Sequence, residues 1–289
     1  MTSVVIAAHN EETVIGACLD ALLQQVALSD SLEIVVSANA CTDATVEIAR
    51  AQQVTVVDRP QPGKAAALNA GELVAHGFPR IYLDADIVAP VNAIADLTSA
   101  LDRTPGTLAA VPRRRLNTVG RPWLVRAYFS INERLPAFTD GLFGRGMIAL
   151  SAEGRARFET FPEMVADDLF LDSLFLADEK VTVPGVEVVV EAPFTVGDLM
   201  RRLVRVRRGN SQMRDAARSG EIDLSVRRSD KHAWLRVVGR EPRLFLAAVP
   251  YVAITVIAAR RARQTASSLD WGRDETTRVR PATSGDGNG

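Results

Sequence analysis

Within the first 110 residues, short runs of Val, Ile and Leu alternate with stretches of helical period. Ser3–Ala8, Glu33–Ser37, Val54–Val57 and Arg80–Leu83 read as strands that are apolar almost throughout. Strands of that kind are covered on both faces, as in parallel sheets clad with helices. Between them, Ile15, Cys18, Leu19 and Leu22 keep the i, i+3, i+4, i+7 spacing of a helix facing a core. Asn10 can cap that helix, and Glu11 and Glu12 suit its positive end. Further helices are expected from about Asp43 to Ala51 and from Gly63 to His76. The alternation predicts an α/β fold with a Rossmann-like, mostly parallel sheet flanked by helices. At 289 residues, 47% hydrophobic, the chain can bury a core of that size.

The second half is less regular. Arg121–Leu135 and Asp167–Leu176 read as helices, Met147–Ser151 and Val181–Val190 as strands, and Val196–Arg218 as a strongly basic helix. Lys and Arg total 34 against 35 acids, so no global field points to a nucleic-acid partner. Basic clusters stand at Arg113–Arg115, Arg201–Arg208 and Arg260–Arg263. Cys18 and Cys41 suit a reduced compartment, with a bridge between them left open. Val4–Ala8 is too short for a signal peptide and stops at His-Asn-Glu-Glu. Leu244–Ala259 carries no charge over 16 residues and has arginines at both ends. As a helix it spans ~24 Å, short of a ~30 Å hydrocarbon core. It is a buried core helix or a membrane-embedded or interfacial anchor; the flanking arginines and Pro250 favour the membrane.

In a parallel sheet, ligands bind beyond the carboxyl ends of the strands. Four loops leave those ends: Ala8–Glu12, Ala38–Asp43, Asp58–Lys64 and Asp84–Asp86, all polar. Asp84 and Asp86 share a side if the extended backbone continues past the strand. Two carboxylates ~4 Å apart repel by about 4 kcal/mol at an effective dielectric near 20. A divalent cation relieves that repulsion, and Mg²⁺ or Mn²⁺ takes one or two carboxylates plus phosphate oxygens and water. The pair is then a metal platform for a diphosphate; the alternative is that Asp84 caps a turn and Asp86 is solvated. His9, His76 and His232 are too scattered for a histidine metal site.

"VVIAAHNEE", "VVSANACTDAT", "GKAAALNAG" and "YLDADI" occur in that order at strand–helix spacing, followed by "GRGMIALSAEGRARF", "ADDLFLDSLF" and "RVRRGN". This set resembles the family 2 glycosyltransferases, which have the GT-A fold, over roughly the first 215 residues. The resemblance implies a nucleotide-sugar-binding half at 1–110 and an acceptor-binding, catalytic half at 111–220. A helical apolar segment at 221–263 and a disordered tail at 264–289 follow. It places Ala8, His9 and Glu12 in the first nucleotide loop. Asn39 stands where the family grips the base, with Ala38 in place of the neighbouring acid; Asp43 is a ligand or a helix cap. Lys64 falls near the base or diphosphate, Asp86 is the metal ligand, and Asp84 supports it or contacts sugar or ribose. Gly144, Arg145 and Gly146 form the loop beneath donor sugar and acceptor. Asp168 matches the catalytic base, with Asp167 beside it in place of a more frequent glutamate. Arg205 and Arg207 suit diphosphate recognition, and Arg208 replaces a tryptophan, which argues against a processive polymer synthase.

The implied activity is inverting, non-processive transfer of a sugar from a nucleotide-diphosphate sugar to a hydroxyl, using Mn²⁺ or Mg²⁺. The expected acceptor is lipid-linked or a cell-envelope glycan, at the cytoplasmic side of the cell membrane. Two alternatives are a sugar nucleotidyltransferase and a non-catalytic membrane-associated binding protein. "AAHNEET" lacks the glycine-rich, arginine-containing loop of the first, and retention of Asp86 and Asp168 speaks against the second.

Overall fold

The computed structural model describes residues 1–26, 32–163, 166–227 and 230–264. The expected disordered tail lies outside the described residues beyond Gln264. The first half follows the expected alternation: β1 (Thr2–Ala8), α1 (Ile15–Val26), β2 (Leu32–Asn39), α2 (Thr45–Arg50), β3 (Thr55–Arg59), α3 (Lys64–Glu72) and β4 (Arg80–Asp84). Next come α4 (Ala93–Arg103) and β5 (Ala109–Asn117), which the sequence pattern did not single out. The rest is α5 (Trp123–Asn132), α6 (Pro136–Thr139), β6 (Met147–Leu150), α7 (Ala152–Arg155), α8 (Asp167–Ser173), β7 (Lys180–Glu191), α9 (Val196–Ser219), α10 (Ala233–Arg240) and α11 (Phe245–Gln264).

One seven-stranded sheet runs in the order β3-β2-β1-β4-β6-β5-β7. β1 to β4 are mutually parallel, as are β5 and β7, and β6 alone runs antiparallel to its neighbours β4 and β5. The chain moves outward from β1 to β3, then crosses back to lay β4 on the other side of β1. That reversal leaves a crevice at the carboxyl ends of β1 and β4. Val4, Val5 and Ile6 of β1 are all fully buried because the sheet is covered on both faces. Val4 and Ile6 pack with α1 and α4, and Val5 with α3 and α8.

The start of α1 differs from expectation. The helix begins at Ile15, and Asn10 does not cap it. Asn10 takes a left-handed conformation (φ 54°), which Asn tolerates better than most residues, and its Oδ1 accepts from Thr42 N–H at 2.8 Å. The Glu12 carboxylate accepts from Ala44 N–H at 3.2 Å, while Glu12 N–H donates to Asp43 Oδ2 at 3.2 Å. These polar groups therefore tie the loop after β1 to the start of α2. Asp43 Oδ1 accepts from Thr45 N–H at 3.0 Å, so its carboxylate also fixes the start of α2. Cys18 and Cys41 are both free thiols.

α5, α9, α10 and α11 form a third apolar cluster beside the sheet, where the rings of Tyr128 and Tyr251 stack with centroids 5.2 Å apart. A Thr195–Asp198 capping box starts α9, and Gly220 in the left-handed region (φ 77°) ends it. α11 continues through Pro250 and buries Tyr251, Ile254 and Ala258. Its other side exposes Phe245, Leu246 and Val249.

α3 packs on β1 and β2 through Ala65, Leu68 and Gly71, and Gly71 makes the close approach. A Cβ on Gly71 would come within 2.5 Å of Val5 Cγ1. Gly71→Ala is expected to destabilise the protein by about 1–3 kcal/mol through overpacking, against a helix-propensity gain of at most ~1 kcal/mol. The measurement is the urea midpoint at unchanged slope; a midpoint equal to or above the parent's would contradict this packing.

Candidate active site

The crevice at the switch point is a cleft of about 320 Å³. The end of β1 contributes Ala7, His9 and Glu11, and α3 contributes Lys64 at its first position. The end of β4 contributes Asp84 and Asp86. Since β6 runs antiparallel, the loop entering it arrives at the same edge, bringing Gly144 and Gly146. Asp167 and Asp168 come from the first turn of α8, and Arg202 and Arg205 from one face of α9.

β4 ends at Asp84, and Ile87 N–H donates to Asp84 C=O at 3.1 Å, so the chain turns at once. The extended backbone expected to align Asp84 with Asp86 is absent, yet both carboxylates border the cleft. Gly146 C=O accepts from Asp84 N–H at 2.8 Å and holds this turn against β6. Gly146 is left-handed (φ 66°), and a Cβ there would meet Ile87 at 2.5 Å. Only glycine fits this junction.

Lys64 is the electrostatic centre. Its Nζ lies 2.8 Å from Asp84 Oδ1 and 2.7 Å from Asp167 Oδ2. Burial disfavours the ammonium, but Asp167, Asp84 and Asp168 outweigh that and hold its pKa well above the lysine range. Asp168 accepts from Gly144 N–H at 2.9 Å. Loss of hydration and the neighbouring Asp167 push the Asp168 carboxyl up to about 7, against the pull of Lys64. A helix N-terminus on its own favours the charged carboxylate. Burial and Asp167 outweigh that preference at Asp168. A carboxylate that exchanges its proton near neutrality is suited to general-base work.

Several expected site residues lie elsewhere. Asn39 is fully buried: its amide donates to Ala8 C=O at 2.8 Å and accepts from Gly63 N–H at 3.1 Å. It joins three loops and does not line the cleft. Ala8 is likewise buried, with Ala7 at the surface of the cleft. Glu12 serves α2, and Glu11 takes the place in the cleft. Arg145 is buried and turned inward, donating to the carbonyls of Pro112, Phe138 and Thr139. Arg207 does not line the cleft; its guanidinium donates to Leu203 C=O at 3.4 Å. His9 remains at the cleft, with Nδ1 2.7 Å from Asn39 C=O.

Arg114 of β5, Arg202 of α9, and the aromatic residues Tyr128, Phe138 and Phe143 line the cleft and were missed. A signal existed for α9: Leu199, Arg202, Leu203, Val206 and Asn210 recur at helical spacing, a stripe that excludes Arg207. Arg114 sits in an unrecognised strand and gave no such signal.

Asp84 and Asp86 fit a hard divalent cation in donor type. Among the described residues, no cluster of three or more His, Cys, Asp or Glu could hold a metal ion. Two carboxylates suffice for Mg²⁺ or Mn²⁺ only when phosphate oxygens and water complete the shell. The site suits a cation that arrives with a diphosphate.

An acidic turn at the switch point, a lysine beside it and a base-like carboxylate opposite define a transferase-type cleft on a doubly wound sheet. The sequence profile described as Glycosyl transferase family 2 matches residues 3–151, just over half of the chain, and the chain belongs to that family. Its fold is of the GT-A type. The mannosyltransferase PcManGT from Pyrobaculum calidifontis, solved in complex with GDP-Man and Mn²⁺, superposes with a TM-score of 0.60 at 22% identity. That match covers 93% of this chain and 76% of the other. Glucosyl-3-phosphoglycerate synthase from Mycobacterium tuberculosis, in complex with Mn²⁺, UDP and glucosyl-3-phosphoglycerate, matches with a TM-score of 0.49 at 22% identity, over 66% of this chain and 70% of that one. No curated protein sequence matches this chain.

Removing the Lys64 charge is expected to raise Asp168 further, since Lys64 is what restrains it. In Lys64→Gln, a ¹³C carboxyl titration assigned by the Asp168→Asn difference should place the Asp168 midpoint above about 7. A midpoint at or below the parent's would show that the ammonium does not act on this carboxylate.

Proposed function

We propose that this glycosyltransferase moves a hexosyl unit from a nucleoside-diphosphate sugar to an acceptor hydroxyl with inversion. The observation that carries the reading is one cleft holding Asp84, Asp86 and Lys64 beside a carboxyl, Asp168, whose pKa is about 7. The acceptor O–H gives its proton to Asp168. Its oxygen then attacks the anomeric carbon from the face opposite the diphosphate, and the carbon–oxygen bond to the phosphate breaks. The bonding pair leaves on the diphosphate. A single displacement inverts the centre. A divalent cation, held by Asp86 with Asp84, would neutralise charge on the departing diphosphate when bound. Lys64 keeps Asp84 and Asp167 in place and adds a second positive charge at that edge. Gly144 orients Asp168 through its N–H.

Asp168→Asn should lower turnover by about 10²–10⁴ while leaving donor affinity nearly unchanged. In the parent, kcat/KM should rise with pH through about 7, because the base must be deprotonated. Asp86→Asn should abolish Mn²⁺-dependent binding of UDP or GDP in calorimetry. Product retaining the anomeric configuration by NMR, or full activity in Asp168→Asn, would sink the mechanism.

A lipid-linked or cell-envelope acceptor at the membrane face belongs to the same reading. Pro242–Gln264 is, among the described residues, the one helical stretch long and apolar enough to cross a membrane, with 33% of its apolar 18-residue window buried in the protein. Phe245, Leu246 and Val249 give it an exposed apolar face. Replacing Phe245 and Leu246 together by Glu should move the protein from the membrane pellet to the supernatant on fractionation; an unchanged distribution would remove the membrane from the proposal.

A further inference from the structure

Three consecutive arginines on β5 are treated differently by the fold. Arg113 and Arg115 both reach Glu187 on β7 and share its carboxylate. Arg114, between them, points to the other face by the two-residue alternation of a strand, and lines the cleft. Its guanidinium lies over the Phe138 ring, 4.7 Å from the centroid. Among the described residues it makes no hydrogen bond or contact ion pair. Arg202, across the cleft on α9, is half-buried and equally without a carboxylate partner. Lost hydration, with repulsion from Arg145 and Arg202, brings the Arg114 pKa down to about 10 against the opposing pull of the Glu133 and Asp168 carboxylates. Half-buried cations crowded together are unfavourable unless an anion joins them.

The place of this cluster separates it from the donor edge. β5 is two strands from β4, across β6, roughly 10 Å at ordinary strand spacing. An Arg114 Nη lies 3.0 Å from where a Cβ on Gly144 would stand, and Gly144 N–H donates to Asp168 at 2.9 Å. Arg114 therefore borders the base on its β5 side, with Lys64 meeting the acidic pair from the β4 side.

We propose that Arg114 and Arg202 form a phosphate subsite for the acceptor, so that the molecule receiving the sugar carries a phosphate near its reactive hydroxyl. This rests on the reading of Asp168 as the base. Two guanidinium groups match the charge of a phosphate monoester dianion, and their fork geometry matches its oxygens. A carboxylate needs only one. The same phosphate chemistry is offered by a soluble phosphate ester and by a lipid phosphate.

The test is calorimetric titration of the full chain, with EDTA and no nucleotide, using glycerol 3-phosphate and short-chain phosphatidic acid below its micellar concentration. Both Arg114→Gln and Arg202→Gln should weaken phosphate binding by about tenfold or more, and Asp86→Asn should not. Tighter binding of phosphatidic acid than of glycerol 3-phosphate would support a lipid phosphate; equal binding would support a soluble ester. Lactate binding as tightly as glycerol 3-phosphate would overturn the phosphate assignment. So would an absence of phosphate binding to the parent, or loss of Mn²⁺-dependent UDP or GDP binding in Arg114→Gln, which would move the arginine to the donor. Mn²⁺-dependent diphosphate binding in the parent, measured alongside, shows whether the broader functional reading survives such a failure.

Discussion

Asp84, Asp167 and Asp168 come from two segments more than eighty residues apart, and each adds a negative charge to the same partly dry cleft. Left alone, neighbouring carboxylates at ~4 Å would cost about 4 kcal/mol per pair at an effective dielectric near 20. The ammonium of Lys64 stands between Asp84 and Asp167 and offsets that repulsion. This places Lys64 at the seam between the β4 edge and α8. The cation also lowers the Asp168 carboxyl against the upward push of burial and Asp167. One side chain thus bears on both the assembly of the cleft and the protonation of Asp168.

The polar loops at the carboxyl edge divide into two kinds. His9, Glu11, Lys64, Asp84 and Asp86 face the cleft. Asn10, Glu12, Asn39 and Asp43 face one another and hold the loops in register. Backbone groups leaving three adjacent strands need partners where the sheet ends, and these side chains provide them. A site whose first layer is charged depends on such a second layer to keep its geometry.

Both kinds look alike in the sequence, which explains what was legible there and what was not. The strands of the first half were readable because Val, Ile and Leu fill them, and the order of four motifs fixed the doubly wound sheet. Asp84, Asp86, Lys64, Gly144, Gly146, Asp167 and Asp168 all line the one cleft, because each sits at a strand or helix end that the pattern marks. Asn39 and Glu12 were assigned to the ligand because polarity at a strand end does not reveal which way a side chain turns. Arg145 was misplaced for the same reason: a buried arginine serving three backbone carbonyls has no local signature. β5 escaped notice because "AAVPRRRLN" mixes a proline and three arginines into a strand, and Arg113 and Arg115 find their shared partner only in the distant Glu187.

The reversed direction of β6 has a consequence for how such a molecule diversifies. A wholly parallel sheet offers one rim of loops, all built by the same βαβ rhythm. Running one strand backwards delivers the loop before it to that rim from the other half of the chain, together with α8 and the inner face of β5. The rim thereby gains contributions from two stretches of sequence that fold against opposite flanks of the sheet. Substitutions in one stretch can reshape its side of the cleft while the other, with α3 packed on β1, keeps its own side unchanged.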